Sequence, residues 1–352
     1  MIKSNNSYSK LRHVVVGREL EISKRIADFT FKHFYDSNLG ESIYPDIQDN
    51  NLVEYKVDFD MLQERIQDLD SLAEILEGEG IKVSRPDRLD KVVPFTTPSF
   101  KSELSSASNV RDVTLIIDNK IIETPTYVLN RYFENTSLYD VYNKAFQSGG
   151  IWLRCPHTKL TEDTIDLTYW KEERDYNLIP DKYTMAIDGA QFLRLGDDVI
   201  VNINSYNHYK GYEWVKSFLP DKNFHIVHLA DNHIDGAIVS LNEFTFLVNP
   251  KYPNIWEQLP EKFNPDNGYR YLYPRDISRP EEPRSIKLAS QNGMDINILS
   301  IDENTVVVNQ DAVEVIKVLE DNDFKVIQVQ LRHSESFGGG IHCSTLDIWR
   351  EE

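Results

Sequence analysis

Two cysteines in 352 residues, Cys155 and Cys343, are too few for a disulfide framework. Such sparing use fits a reducing compartment, the cytoplasm. No apolar run approaches the roughly 20 residues that span a bilayer, and residues 1–10 are polar, without the apolar core of a secretory leader. Excess positive charge is also missing. With 38 Lys and Arg against 57 Asp and Glu the formal net charge is −19, which opposes a nucleic-acid backbone and steers cationic small molecules. There is no G-x-x-x-x-G-K-[ST] phosphate loop and no dinucleotide fingerprint, so ATP and NAD have no support. Metal-ligand spacing is absent as well: His225 and His228 fall on opposite faces of an expected strand, and His208 and His333 have no partner in the pattern. These absences describe a soluble protein without metal, cofactor, membrane or nucleic acid.

What the chain does contain is a repeat. At 40% hydrophobic residues it can bury a sizeable core without a staple, and no linker divides it, so residues 1–352 read as one catalytic domain. The repeated unit is strand, tight turn, strand, helix, strand. One copy has strands at 113–117, 120–123 and 151–154, with a helix over about 128–146. A second has strands at 191–195, 199–203 and 224–229 and a helix at 211–218. A third turns at Asn242-Glu243, with a helix at 255–263 and a closing strand at 269–273. A fourth turns at 302–304, with a helix at 312–320 and a strand at 325–331. The fifth is split between the chain ends: strand 341–349 would join strand 11–16, the amphipathic helix 58–79 (Leu62, Ile66, Leu69, Leu72, Leu76) and strand 81–84. That junction would close a ring and remove the open strand edges that invite aggregation.

Each unit opens with a residue capable of chemistry: Asp112, Asp188, His233 with Asp235, Asp295, and His342-Cys343. A single strand-end carboxylate usually just bonds backbone, but the same location in every copy points to one shared cavity. Cys343 follows Gly338-Gly339-Gly340, a run that lets backbone approach a ligand closely, so at the head of a strand it reads as a nucleophile. Cys155, without such context, reads as a small buried hydrophobe. A thiol with a free pKa of roughly 8.5 needs a base or a cationic neighbour. His233 is the candidate; on a strand it and Asp235, at i and i+2, would share one face.

These segments together resemble the amidinotransferases, of which glycine amidinotransferase and inosamine-phosphate amidinotransferase are the best known, within the guanidino-modifying superfamily. The resemblance rests on Val14-Val15-Val16-Gly17-Arg18, Arg111-Asp112-Val113, Ile121-Ile122-Glu123-Thr124-Pro125 and Asn130-Arg131-Tyr132-Phe133-Glu134. It continues through Asp188-Gly189-Ala190-Gln191-Phe192, Gly211-Tyr212-Glu213-Trp214, His233-Ile234-Asp235 and Gly338-Gly339-Gly340-Ile341-His342-Cys343. It implies an α/β fold, a five-bladed propeller of ββαβ units around a central cavity. By position, Cys343 is similar to the family nucleophile, His233 to its acid/base, Asp188 to the carboxylate behind that histidine, and Asp112 with Asp235 to the pair that grips the guanidinium. The implied partners are L-arginine as donor, an amine as acceptor and, at most, a second copy of the chain.

Two positions depart from the family pattern. Tyr252, in Asn249-Pro250-Lys251-Tyr252-Pro253, stands where glycine amidinotransferase has an arginine that helps hold the substrate carboxylate, and Asp295 corresponds to a family serine. The stretch 229–232 is also shorter than in the glycine enzyme. An acid in the cavity and a wider mouth suit an acceptor amine bulkier than glycine, as in natural-product pathways, and Tyr252 leaves the donor open. The rivals are a guanidino hydrolase resembling arginine deiminase, which would yield citrulline, and a silent binder of a cationic metabolite, which would need no thiol.

Overall fold

The computed structural model describes residues 1–352 except 32, 35–51, 127, 157–158, 168–173, 230–231, 276, 278–293 and 352. Five three-stranded sheets repeat one pairing scheme, a first strand antiparallel to a second, which is parallel to a third. The strands are Thr114–Ile117, Lys120–Glu123 and Ile151–Arg154; Phe192–Leu195, Asp198–Asn202 and Asn223–Val227; Ile238–Asn242, Thr245–Val248 and Arg270–Leu272; and Leu299–Asp302, Thr305–Asn309 and Lys325–Val329. The split unit has the expected order, with Thr345–Glu351 antiparallel to Lys10–Val16 and Lys10–Val16 parallel to Lys82–Ser84. The architecture is thus the five-bladed α/β propeller. The tight turns have local causes: Asp118 takes a positive φ of 51°, and Gly196, at φ 76°, occupies a region that only glycine enters without cost.

The ring closes by packing and not by one continuous sheet. An apolar cluster lies between each pair of neighbouring units: Leu115 and Ile117 with Phe192 and Val201, Leu193 and Ile200 with Ile238 and Phe246, Val239 and Leu247 with Val306 and Val308. Leu299 and Val307 then meet Val14 and Leu72, and Val15 with Leu346 meets Ile116 and Ile121. Each sheet keeps its own edges, and the edges are short.

The connecting helices differ more from expectation. Phe59–Gly78 forms as one α-helix, started by Asp58, whose side chain accepts from the backbone N–H groups of Asp60 and Met61. Its inward face carries Leu62, Leu69, Leu72 and Leu76, but also the buried Arg65 and Asp68. The helix expected over 128–146 is α-helical only at Tyr139–Gln147. Before it the chain makes two 3-10 turns, Leu129–Arg131 and Glu134–Leu138, because Arg131 is drawn inward to bond Asp112. The second unit's helix starts earlier than expected, at Tyr206, with Ser205 as its cap, and the 255–263 stretch breaks into the 3-10 turns Ile255–Gln258 and Glu261–Phe263 around Pro260. Among the described residues no helix is long and apolar enough to cross a membrane.

Near the ring axis Asp347, fully buried in the last strand, accepts from three guanidinium groups: Arg111 (2.8 Å), Arg194 (2.7 Å) and Arg350 (2.9 Å). Burial alone would raise this carboxyl, but the three cations hold it well below the usual carboxylate range. Arg194 also donates to the Ile116 carbonyl and Arg350 to that of Ser300, so first strands of four units are tied to one carboxylate. Removing one partner from such a buried cluster leaves uncompensated charge, at a cost of about 3–5 kcal/mol. Asp347→Ala should therefore lower the unfolding free energy by about that amount in urea titrations, and a change under about 0.5 kcal/mol, the scale of a neutral surface substitution, would contradict the hub. Because the folded pKa is depressed, this stabilisation is present at neutral pH and is lost only as pH falls below the ordinary carboxylate range.

Candidate active site

The residues picked out as openers of each unit do not lie on strands. They occupy the tight turns just before them. Asp188 precedes the 3-10 turn Gly189–Gln191, and its own N–H is bonded by Gln191 Oε1 at 2.9 Å. His233 precedes Ile234–Gly236, which contains Asp235. Asp295 is in Met294–Ile296, and Cys343 sits in a turn that ends at Thr345. These turns pack on one another around the axis, 189–191 against 234–236 and 234–236 against 294–296. The expectation that His233 and Asp235 share a strand face thus has the wrong reason. A 3-10 turn, and not the alternation of a strand, brings the two side chains to the site.

Cys343, His233, Asp188, Asp112 and Asp235 are gathered in one buried site. Cys343 Sγ lies 3.4 Å from Asp235 Oδ2 and 3.2 Å from Asn297 Nδ2. Asp235 Oδ2 also bonds His342 Nδ1 at 2.7 Å. His233 Nε2 is 3.0 Å from Asp188 Oδ2, and its Nδ1 is 3.7 Å from Asp112 Oδ1. The other oxygen of Asp112 accepts from Arg131 at 2.7 Å, while Arg131 also grips Glu134 with two hydrogen bonds of 2.7 and 2.9 Å. Asp112 Oδ1 and Asp188 Oδ1 are buried without a hydrogen-bond donor, an arrangement that is costly unless something arrives to fill it.

The electrostatics follow from burial among carboxylates. Burial alone would lower the His233 pKa, but Asp112 and the bonded Asp188 outweigh it and lift the imidazole to about 9, so His233 is a cation at neutral pH. Burial raises the Cys343 thiol, and Asp235 and Asp112 push it further, well above its ordinary value. Burial also pushes Asp235 up, but the His342 hydrogen bond more than offsets this and brings it to about 2. His342, lowered to about 4 by burial and by Arg111, is neutral and donates its Nδ1–H to that carboxylate. With the site empty the nucleophile candidate is thus a thiol beside the ionised Asp235, while burial raises Asp112 against the pull of Arg131 and His233.

The remaining residues sit as follows. Asp295 is buried two residues before Asn297. The ring of Tyr252 packs against the apolar cluster of the 238–272 unit, with Lys251 Nζ 5.5 Å from its centroid. Cys155 is buried beside Met185, its thiol raised to about 12 by burial. Residues 230 and 231 of the shortened 229–232 stretch lie outside the described residues. A cavity of about 100 Å³ adjoins the site, its wall including Phe31, Phe34, Tyr55, Arg131 and Phe337. Phe34 sets its edge on the His233 ring, with centroids 5.3 Å apart.

Sequence reasoning missed Asn297, and it gave no role to Arg131, Glu134, Arg111 or Arg65. Arg65 reaches from its helix to donate to Gly339 O and Ser344 Oγ. Asn297 had no register signal: the turns and strands of 234–245 match those of 294–305, so Asp295 stands where the preceding unit has Asp235 and Asn297 where it has Ala237.

No protein-family model matches the chain. It is 31% identical over 300 residues to the L-arginine:L-lysine amidinotransferase of Pseudomonas savastanoi pv. phaseolicola, covering 82% of this chain and 80% of that protein. To the mitochondrial glycine amidinotransferase of Gallus gallus it is 28% identical over 367 residues, 99% of this chain and 82% of that one. Among solved structures it superposes on SxtG, an amidinotransferase from Microseira wollei in the saxitoxin biosynthetic pathway, with a TM-score of 0.80 and 27% identity over 100% of this chain and 98% of that one.

The charge state of His233 is directly measurable. Its imidazole resonances should titrate near pH 9 in the free protein, and Asp188→Asn should move the midpoint down toward the ordinary value of roughly 6.5. A wild-type midpoint between 6 and 7 would contradict the carboxylate cage.

Proposed function

The chain belongs to the amidinotransferase family, and from that premise we propose that it moves the amidino group of L-arginine to an amine through a covalent intermediate on Cys343. The observation that supports this most is the excess of carboxylate. Asp112, Asp188 and Asp235 line the site with His233, Arg131 is taken up by Glu134 (lifted to about 7 by burial) and one oxygen of Asp112, and two carboxylate oxygens lack a donor. Such a site favours a buried cation. A guanidinium offers five N–H donors in one plane, which two carboxylates can hold in fixed orientation.

The same charges explain how a thiol with a raised pKa would react. Asp235 and Asp112 oppose thiolate formation while the site is empty. A guanidinium between them cancels that opposition and brings its carbon against sulfur, so deprotonation and substrate arrival are coupled. The Cys343 thiol gives up its proton to solvent as the guanidinium enters, and the thiolate forms a bond to the guanidinium carbon. As the bond from that carbon to the arginine Nε breaks, His233 gives its proton to this nitrogen, and ornithine departs with the electron pair. His233 is then neutral. An acceptor amine loses a proton to it and attacks the amidino carbon, and sulfur leaves. Sulfur recovers its proton from solvent as the product departs, so atoms and charge balance without a cofactor, and the kinetics are ping-pong.

For the acceptor, the natural-product setting of SxtG is consistent with an amine bulkier than glycine; the cavity beside Phe34 is lined by none of Cys343, His233, Asp188, Asp112 and Asp235 and does not bear on its size. The L-arginine and L-lysine in the name of the Pseudomonas relative accord with arginine as donor and a long amine as acceptor.

The half-reaction gives the test. Without acceptor, isotope-labelled ornithine should exchange into arginine, and Cys343→Ala should abolish the exchange. Citrulline formation in place of exchange would reassign the chain as a hydrolase. In competition for the same enzyme, lysine or a larger amine should be guanidinated at least tenfold faster than glycine, and glycine prevailing would contradict the acceptor assignment.

A further inference from the structure

The side chain of Asn297 is the neighbour of Cys343 that no family resemblance singled out, and it touches the cysteine twice. Its Oδ1 accepts the Cys343 backbone N–H at 3.0 Å, and its Nδ2 donates to Sγ at 3.2 Å. Its backbone carbonyl accepts from the N–H groups of Ile341 and His342, at 3.0 and 3.2 Å, which locks the turn that carries the thiol. Nδ2 also lies 3.4 Å from the carbonyl oxygen of Asp235. That contact fixes which end of the amide faces sulfur, because only the NH2 can donate to a carbonyl. The approach depends on Gly340: a Cβ there would stand 2.7 Å from the Asn297 Cβ and Oδ1. The third glycine of the run is therefore explained by Asn297 and not by a ligand.

We propose that Asn297 is a catalytic residue of this chain, the hydrogen-bond donor that stabilises the Cys343 thiolate and aims it. Among the described residues within hydrogen-bond reach of Sγ, Asp235 is an acceptor that disfavours the thiolate and Asn297 is a donor that favours it. When sulfur carries charge, as it does on attack and again as it leaves the amidino carbon, the Nδ2–H bond strengthens. The proposal rests on Cys343 as nucleophile.

The thiol itself can be followed without any substrate, in a chain whose Cys155 is replaced by Ala. The rate of iodoacetamide alkylation of Cys343 is measured against pH for the parent, Asn297→Ala and Asn297→Ser. A hydrogen bond to a charged group is worth about one to two pH units in the acid's midpoint. The alanine variant should therefore titrate about that much higher than the parent, and serine, which keeps a donor, should fall between them. Arginine–ornithine exchange should slow by about 10- to 100-fold in Asn297→Ala. Superposable alkylation profiles would overturn the proposal. If the alanine chain does not fold, Asn297→Asp replaces it. This variant keeps the acceptor toward the Cys343 N–H and loses the donor toward sulfur, and a midpoint at or below that of the serine variant would overturn the proposal equally. A shifted profile in a parent that fails to exchange ornithine would leave the Asn297 assignment standing and remove the arginine reaction; exchange with unshifted profiles would do the reverse.

Discussion

The interaction on which the rest depends is the bond between Asp347 and Arg111. Asp347 holds three buried guanidinium groups, and Arg111 uses its Nε to bond the carbonyl of His342 at 2.8 Å while its backbone N–H donates to the carbonyl of Cys343. The carboxylate that ties the ring is four residues from the candidate nucleophile, and Arg111 is next to Asp112. Ring closure and site geometry are thus one constraint. The last strand cannot pair with Lys10–Val16 without bringing the 341–344 turn to the axis, and Arg111 cannot reach Asp347 without placing Asp112 beside His233. A fold whose first and last strands share a sheet makes its site only when the whole chain is present.

Around that frame the site carries more negative than positive charge. Asp112 and Asp188 each keep a buried oxygen without a donor, and burying them so is unfavourable unless a further cation enters. The same surplus raises the Cys343 thiol and holds His233 protonated. In the proposed reaction this one arrangement selects a cationic substrate, keeps the sulfur unreactive until the substrate arrives, and stores the proton that the leaving amine needs. Arg131 moderates it: by bonding one oxygen of Asp112 and both of Glu134 it leaves Asp112 Oδ1 as the outward acceptor. Among the described residues, Asn297 supplies the hydrogen-bond donor that faces sulfur.

Much of this was legible in the sequence because the fold repeats. Four turns with Asp or Asn at the tips, one of them led by Gly196, and short continuous apolar runs such as 306–308 and 199–201 set the strand pairs by local chemistry, and the repeat predicted the split fifth unit from both ends of the chain. The helices were less legible, since Arg131 and Pro260 are tertiary or steric causes that periodicity does not register. The openers of each unit were found, but their reason was misjudged: a turn and not a strand face aims them inward. Arg65, Asp68 and Asp347 were invisible because a buried charge on an apolar face looks like a solvent-facing residue until its partner, far along the chain, is known. Asn297 had no signal either, since its place in the preceding unit is held by Ala237, and an amide carries no chemistry until a sulfur is placed against it.

The central claim is that the amidino group resides on Cys343 between donor and acceptor. Intact-mass and peptide mass spectrometry after incubation with L-arginine alone tests it most directly. The account predicts an amidino adduct on the peptide bearing Cys343, released ornithine in equal amount, and neither in Cys343→Ala. Ornithine or citrulline produced with no adduct at Cys343, or an adduct elsewhere on the chain, would contradict it.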